Sequence, residues 1–353
     1  MLDKEYIKKV VDEEVEDAGS TATKCVLWMA AFLFWCGVMI RHGLYALRIL
    51  KAHKFEPKVI SVGNLTVGGV GKTPLVEYVA ESLNKQSKKI VVLMRGYMTQ
   101  PNVKSDEAEV LQNNLGQIKI LTGKNRVQIA QEYLKNHPVD VIILDDGFQH
   151  LKIQRDLDIL VIDSTNPWGN GYLLPRGILR ERLPAIKRAH VAVLSKTDLA
   201  EQNIQAIRNK IKGINPDCLV VESIHRPVRL IDIETKAQCE LSFLQGKIIC
   251  ALSAIGSPDS FEDLLRKQGA VIEESYRFLD HHPFSKQDVL NVLHFCKAHQ
   301  IDTVVTTQKD AVKLESILKE LKPNIKFIYL SIQLIITQNE KDFCGRIDSL
   351  FSN

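Results

Sequence analysis

The stretch VISVGNLTVGGVGKTPLVEYVA, Val59–Ala80, constrains the fold more than any other part of the chain. A short apolar run enters a loop holding Gly68, Gly69 and Gly71. Lys72 and Thr73 close the loop, and Leu75, Val79 and Leu83 then recur at helical spacing. A strand that opens directly onto a helix N-terminus through such a loop is built to receive an anion. Without Cβ atoms, the backbone N–H groups can converge on phosphate oxygens. Lys72 adds a point charge suited to β- and γ-phosphates, and Thr73 adds a hydroxyl suited to Mg²⁺. Counting back from Gly71 across four residues reaches Thr66, where such loops usually begin with glycine. The candidate cradle is therefore Thr66, Val67, Gly68, Gly69, Val70, Gly71, Lys72 and Thr73. Pro74 falls in the first helical turn, where a missing N–H costs nothing.

Around this stretch, continuous apolar runs alternate with helical patterns. KIVVLM, VDVIILDDG, LDILVID and AHVAVLSKTD are strands, separated by segments such as GKNRVQIAQEYLKNH. Strands apolar along their whole length, alternating with helices, imply a parallel sheet covered on both faces. Ligands then bind along the carboxyl ends of the strands. Asp145 and Asp146 follow one such strand. A carboxylate there is suited to holding a nucleotide's metal, so Asp145 is the expected Mg²⁺ partner and Asp146 is left for another task. VLSKTD, Val193–Asp198, is similar to the guanine-reading N-K-x-D of GTPases, with Ser195 in the Asn position. Around Ser223–Gly246 the helical rhythm lapses into short alternating strands. It resumes from IICALSAI to the end of the chain as a second, smaller α/β unit.

Composition narrows the function classes. A net charge of +4 in 353 residues, with no block of five like charges, gives no nucleic-acid footprint. The seven cysteines lie far apart, without the short spacings of a zinc or redox site. The N-terminus is distinctive. A stretch rich in acids (Asp12, Glu13, Glu14, Glu16, Asp17) precedes CVLWMAAFLFWCGVMI, Cys25–Ile40, sixteen residues without a charge. Arg41, His42, Arg48, Lys51, His53, Lys54 and Lys58 follow. Apolar residues beside basic ones suit an anionic membrane face. Sixteen residues make about 24 Å of helix, and a hydrocarbon core is about 30 Å. The expectation is an interfacial or half-inserted helix, the alternatives being a full span or a buried core helix.

The stretches VGNLTVGGVGKTP, RGY, DDGFQH, RDLDILVID, GNGYLLPRGILRE, DHHPF and TTQKDAVKL occur in this order. Together they resemble the tetraacyldisaccharide 4′-kinase family of lipid A biosynthesis, over roughly residues 40–320. The resemblance implies an α/β fold: a P-loop NTPase-like parallel-sheet domain and a smaller α/β domain joined by a short β linker, with an N-terminal membrane-associated helix. The expected divisions are 1–40 for the membrane segment, 41–222 for the P-loop kinase domain, 223–246 for the linker and 247–353 for the second domain. The resemblance implies transfer of the γ-phosphate of ATP, with Mg²⁺, to the 4′-hydroxyl of an acylated glucosamine disaccharide 1-phosphate at the cytoplasmic face of the inner membrane. No obligate protein partner is expected. A P-loop GTPase or metallochaperone is the alternative.

Residue by residue, the resemblance implies that Asp106, in KSDEAEVL, is the catalytic base. His281 is the histidine of the D-H motif, paired with Asp146, with His282 as its rival. Arg176, Arg180, Arg182, Lys187 and Arg188, with Arg41 and Arg48, are expected beside the anionic lipid.

Overall fold

The computed structural model describes Val10, residues 18–96 and residues 106–352. The acidic cluster at Asp12–Asp17 and Tyr97 of the RGY motif lie outside these residues. Among the described residues the strands are β1 (Lys58–Asn64), β2 (Ile90–Met94), β3 (Lys119–Thr122), β4 (Val141–Asp145), β5 (Leu157–Asp163), β6 (Val191–Ser195), β7 (Leu219–Asp232), β8 (Gln238–Cys239), β9 (Ile248–Ser253), β10 (Val271–Arg277), β11 (Thr303–Thr307) and β12 (Lys326–Gln338). The helices are α1 (Ala18–Ala46), α2 (Lys72–Lys85), α3 (Asp106–Leu115), α4 (Arg126–Leu134), α5 (Glu201–Ile214), α6 (Pro258–Lys267), α7 (Lys286–Ala298), α8 (Gln308–Leu321) and α9 (Glu340–Asp348). The chain forms two compact units. One comprises Met1–Arg95, Asn125–Ile224 and Ile336–Asn353; the other comprises Gly96–Lys124 and His225–Ile335.

In the first unit the strand order is β7-β6-β5-β1-β4-β2, with every neighbouring pair parallel. Strands β2, β4, β5 and β6 are buried at every residue, which is why they read as unbroken apolar runs. The order reverses direction at β1, which lies between β4 and β5. Ligands of such sheets bind outside the carboxyl ends at that point. The register pairs Val62 with Asp145 and Asn64 with Val161, so the glycine loop leaves β1 beside the acid that ends β4. Helix α2 buries Leu75, Val76, Val79, Ala80 and Leu83 along one face.

Gly63 has no room for a side chain. A Cβ there would stand 2.6 Å from the Phe148 backbone nitrogen and 2.7 Å from its Cβ. This close approach seats the DDGFQH turn on β1. Gly63→Ala is therefore expected to destabilise the first unit by about 1–3 kcal/mol through overpacking, read as a lower urea midpoint at unchanged slope.

Helix α1 has 29 residues. That corrects the sixteen-residue estimate: backbone hydrogen bonds carry the helix through polar residues at both ends, giving about 44 Å. Length therefore does not separate a span from an interfacial placement. Ala31 and Trp35 pack on the first unit's core with Leu65, Phe148, Leu160 and Leu173. Val26, Met29, Leu33 and Ile40 are exposed by half or more of their surface. A core helix would not leave them so, and the buried alternative is overturned.

In the second unit β10-β9-β11-β12 are parallel neighbours. Their core includes Cys250, Leu252, Val289, Val304, Leu314 and Phe327. The segment read as short alternating strands differs from expectation. Strand β7 runs for 14 residues through Asp232, β8 folds back antiparallel onto it (Leu230 against Cys239), and a single 3₁₀ turn covers Leu241–Leu244. Helix α3 packs on α8.

Candidate active site

Every element of the first unit's site leaves the carboxyl edge of the sheet. Gly68 (φ 114°) and Gly71 (φ 89°) are in the left-handed region that favours glycine, and Gly71 caps α2. Thr66, in the place of the usual glycine, is buried and bridges to Leu179, and the Val67 N–H donates to the Ile178 carbonyl at 2.8 Å. The loop's first residues are thus fixed by the GNGYLLPRGILRE segment. Ser195 Oγ donates to the Val70 carbonyl at 2.7 Å, and Lys196 Nζ lies 3.4 Å from the Gly69 carbonyl.

Lys72 Nζ lies 3.3 Å from Asn64 Oδ1 and 3.7 Å from Asp146 Oδ1. Arg180 Nη1 donates to both Asp146 oxygens at 2.8 Å, and the largely buried Arg126 reaches the Asp146 carbonyl at 3.3 Å. Burial pushes Asp146 upward, but Lys72, Arg180 and Arg126 outweigh it and hold the carboxyl below its ordinary range. The result is an ionised carboxylate flanked by two cations, sited where an incoming phosphate would compete for both.

Asp145 is buried at the end of β4, and its Oδ1 accepts the Asp146 N–H at 2.9 Å. No cluster of three or more His, Cys, Asp or Glu residues suited to a metal exists among the described residues. The donor set fits Mg²⁺ nonetheless, because that ion takes one or two carboxylates and completes its sphere with phosphate oxygens and water.

The second unit carries a different cluster. Asp106 is the first residue of α3, and α8 brings two lysines to it. His281 Nδ1 lies 3.7 Å from Asp106 Oδ2, and Lys313 Nζ 3.5 Å from the same oxygen. Lys309 Nζ is 2.9 Å from Asp280 Oδ1, 3.3 Å from His281 Nε2 and 3.5 Å from Glu107. Lys313 is itself held by Asp310, a fully buried acid that also accepts the Ala254 N–H. Burial pushes Asp106 up, but His281 and the two lysines bring it down to about 2. Asp106 in turn raises His281 above its ordinary value, against burial and the charge of Lys309. His281 adopts φ 63°, a left-handed conformation unusual outside glycine.

Its rival has a structural occupation. His282 Nε2 meets Asp288 at 3.1 Å, where Asp288 completes the capping box of α7, and its ring stacks on Phe278 at 4.5 Å. Inside its own unit His281 lies against Asp106, Asp280 and Lys309. The resemblance paired it with Asp146, whose partners inside the other unit are Lys72 and Arg180.

The basic residues expected at lipid are partly committed elsewhere. Besides Arg180, Arg188 forms a two-pronged pair with the buried Glu181 at 2.9 and 3.1 Å and lies over the Phe148 ring. Arg41 donates to the Gln149 carbonyl at 2.8 Å, and His42 reaches Glu181 at 3.3 Å. The end of α1 is thereby fastened to the DDGFQH turn and to the loop that carries Arg180 and Glu181. Arg176 stacks on Tyr172 and Arg182 on Trp35. Sequence reasoning did not single out Asn64, Lys309 or Lys313, and it gave no sign that Arg180 pairs with Asp146. A lysine pair at i,i+4 in KDAVK was the available signal, since it puts both charges on one helix face.

The chain matches the family model for tetraacyldisaccharide-1-P 4′-kinase over residues 23–352. A tetraacyldisaccharide 4′-kinase of Halothermothrix orenii is 35% identical over 327 residues, 84% of this chain and 85% of that protein. One from Syntrophus aciditrophicus is 32% identical over 333 residues, covering 88% of each. The structure of the Aquifex aeolicus enzyme LpxK in complex with ATP superposes with a TM-score of 0.70 at 25% identity, covering 94% of this chain and all of that one.

Proposed function

This chain belongs to the tetraacyldisaccharide 4′-kinase family, and from that premise we propose how its two clusters divide the work of transferring phosphate to a membrane-held acceptor. It is an ATP-dependent kinase of lipid A biosynthesis, which transfers the γ-phosphate of ATP to the 4′-hydroxyl of a tetraacyldisaccharide 1-phosphate. The GTPase or metallochaperone alternative is not favoured.

The glycine loop receives the triphosphate. Lys72 supplies charge to the transferring phosphoryl group, and Asn64 and Asp146 aim it. Arg180 sits across Asp146 from Lys72 and is the second cation available to the phosphates. Thr73 and Asp145 would hold Mg²⁺, which when bound neutralises developing phosphate charge. Asp106 accepts or orients the hydrogen of the 4′-hydroxyl. His281 and Lys313 hold the carboxylate in place at one oxygen, Oδ2. Since phosphoryl transfer depends mostly on positioning and charge, a strongly held carboxylate suits the task even though it is a weak base. The single observation behind this assignment is that Asp106 and His281, more than 170 residues apart in the chain, lie 3.7 Å from each other.

The acceptor is met at the cytoplasmic face of the inner membrane through the exposed apolar face of α1, reinforced by the basic residues from Arg48 to Lys58. Each basic residue near an anionic leaflet adds roughly 1 kcal/mol, and that part screens with salt. Full-length protein is expected to co-sediment with anionic vesicles, weaken only partly in high salt and need detergent for full release. A variant carrying Met29→Ser, Leu33→Ser and Ile40→Ser, which keeps the core contacts of Ala31 and Trp35, is expected to bind ATP normally, lose most vesicle binding and turn over lipid acceptor poorly. Equal vesicle binding and lipid turnover by this variant would remove the exposed face of α1 from the membrane role.

A further inference from the structure

The motif VLSKTD reads as a base-recognition signature, yet in the fold its first two polar side chains face the phosphate loop. Ser195 is fully buried, and its Oγ lies 2.7 Å from the Val70 carbonyl and 3.4 Å from the Ile162 carbonyl. Lys196 is buried as well and takes φ 58°, a left-handed conformation that a lysine adopts only when its surroundings compel it. Its Nζ is 2.5 Å from Asp163 Oδ2 and 3.4 Å from the Gly69 carbonyl. The other Asp163 oxygen, Oδ1, is fixed by the Thr165 N–H at 3.0 Å and the Thr165 hydroxyl at 2.6 Å. The carboxylate therefore cannot swing away from Lys196 without breaking both bonds.

We propose that Ser195 and Lys196 are positioning residues that clamp the phosphate loop in its nucleotide-receiving form, acting through the backbone and not on the base. In a planar trans peptide the C=O and N–H point in opposite directions. Fastening the Val70 carbonyl to Ser195 aims the Gly71 N–H away from β6. Fastening the Gly69 carbonyl to Lys196 does the same for the Val70 N–H, which turns back onto the Gly68 carbonyl at 3.1 Å. A loop whose first position is Thr66, with four residues between it and Gly71, gains from such external fixation. Glycines make it free to bend, and the two donors remove the freedom that would otherwise be lost on binding. A buried lysine–carboxylate pair contributes little net stability when both charges are replaced together. Its use here is to fix one backbone geometry.

The inference rests on the kinase reading. It is tested by steady-state kinetics on Ser195→Ala and on the double variant Lys196→Met/Asp163→Asn, which leaves no uncompensated buried charge. Thermal melting is measured alongside. The KM for ATP is expected to rise roughly tenfold in the double variant, the equivalent of about 1.4 kcal/mol, and by a smaller factor in Ser195→Ala. The KM for the lipid acceptor and the ratio of ATP to GTP use should stay at wild-type values. Should the double variant fail to fold, Ser195→Ala carries the test alone. An ATP KM within twofold of wild type in every folded variant overturns the clamp. So does a tenfold change in the ATP:GTP ratio, because the residues would then be reading the base. Failure of the kinase reading looks different: wild-type protein itself would transfer no phosphate to the acceptor.

Discussion

Lys72→Ala lowers turnover by on the order of a thousandfold while leaving the fold intact, because it removes a charge aimed at the group being transferred, and a single preorganised donor of that kind is worth roughly 10²–10³ in rate. The fold survives because Asp146, the carboxylate facing Lys72, keeps its two bonds from Arg180 at 2.8 Å. No buried charge is stranded. Steady-state kinetics with saturating acceptor, together with a melting curve, decides the matter. Turnover within tenfold of wild type at an unchanged melting point would mean that the glycine loop does not hold the reacting phosphate.

Asp106→Asn is the second large effect, a fall in kcat of roughly 10²–10³, within the usual range for a positioned proton acceptor. ATP affinity should change little, since Asp106 belongs to the cluster on α3 and α8 and not to the glycine loop. Asp145→Asn should show the opposite pattern, with weakened ATP affinity and an altered Mg²⁺ requirement. Equal loss of ATP affinity in the two variants would sink this division.

The same substitution reports on His281. Asp106 raises the His281 value above the ordinary 6.5, so in Asp106→Asn the imidazole should titrate lower, with Lys309 still pressing on it. Histidine NMR reads this directly. For stability the sign follows from the raised value. The contribution of His281 is fully present below pH 6.5 and is lost as the pH rises through its folded value. The stability gap between wild type and Asp106→Asn should therefore be wider at pH 6 than at pH 9. A gap that is constant across that range would mean that the two side chains do not interact in solution.

The strand-loop-helix at Val59–Ala80 was legible because its signals are local: apolar strand, glycines at positive φ, then helical spacing. The parallel sheet was legible for the same reason, since strands buried on both faces leave unbroken apolar runs. What is set by contacts between distant residues could not be read. Arg180 looked like one of several basic residues suited to a lipid surface, and only the fold turns it onto Asp146. Ser195 and Lys196 looked like a base-reading motif, because a sequence shows residue types but not which way a buried side chain points. The full length of α1 was missed because polarity, not backbone hydrogen bonding, set the estimated ends. The different surroundings of His281 and His282 were not legible either, since the stack of His282 on Phe278 and its bond to Asp288 are made by the fold.

The most direct measurement is transfer of labelled γ-phosphate from ATP to a tetraacyldisaccharide 1-phosphate in detergent micelles, with the position of the new phosphate assigned by NMR and with Lys72→Ala and Asp106→Asn run in parallel. The expected result is label on the 4′-oxygen with wild-type protein, in preference to GTP as donor, and a loss of two or more orders of magnitude in each variant. Label released only as free phosphate, or a wild-type rate retained by both variants, would contradict the assignment of these two clusters to lipid phosphorylation.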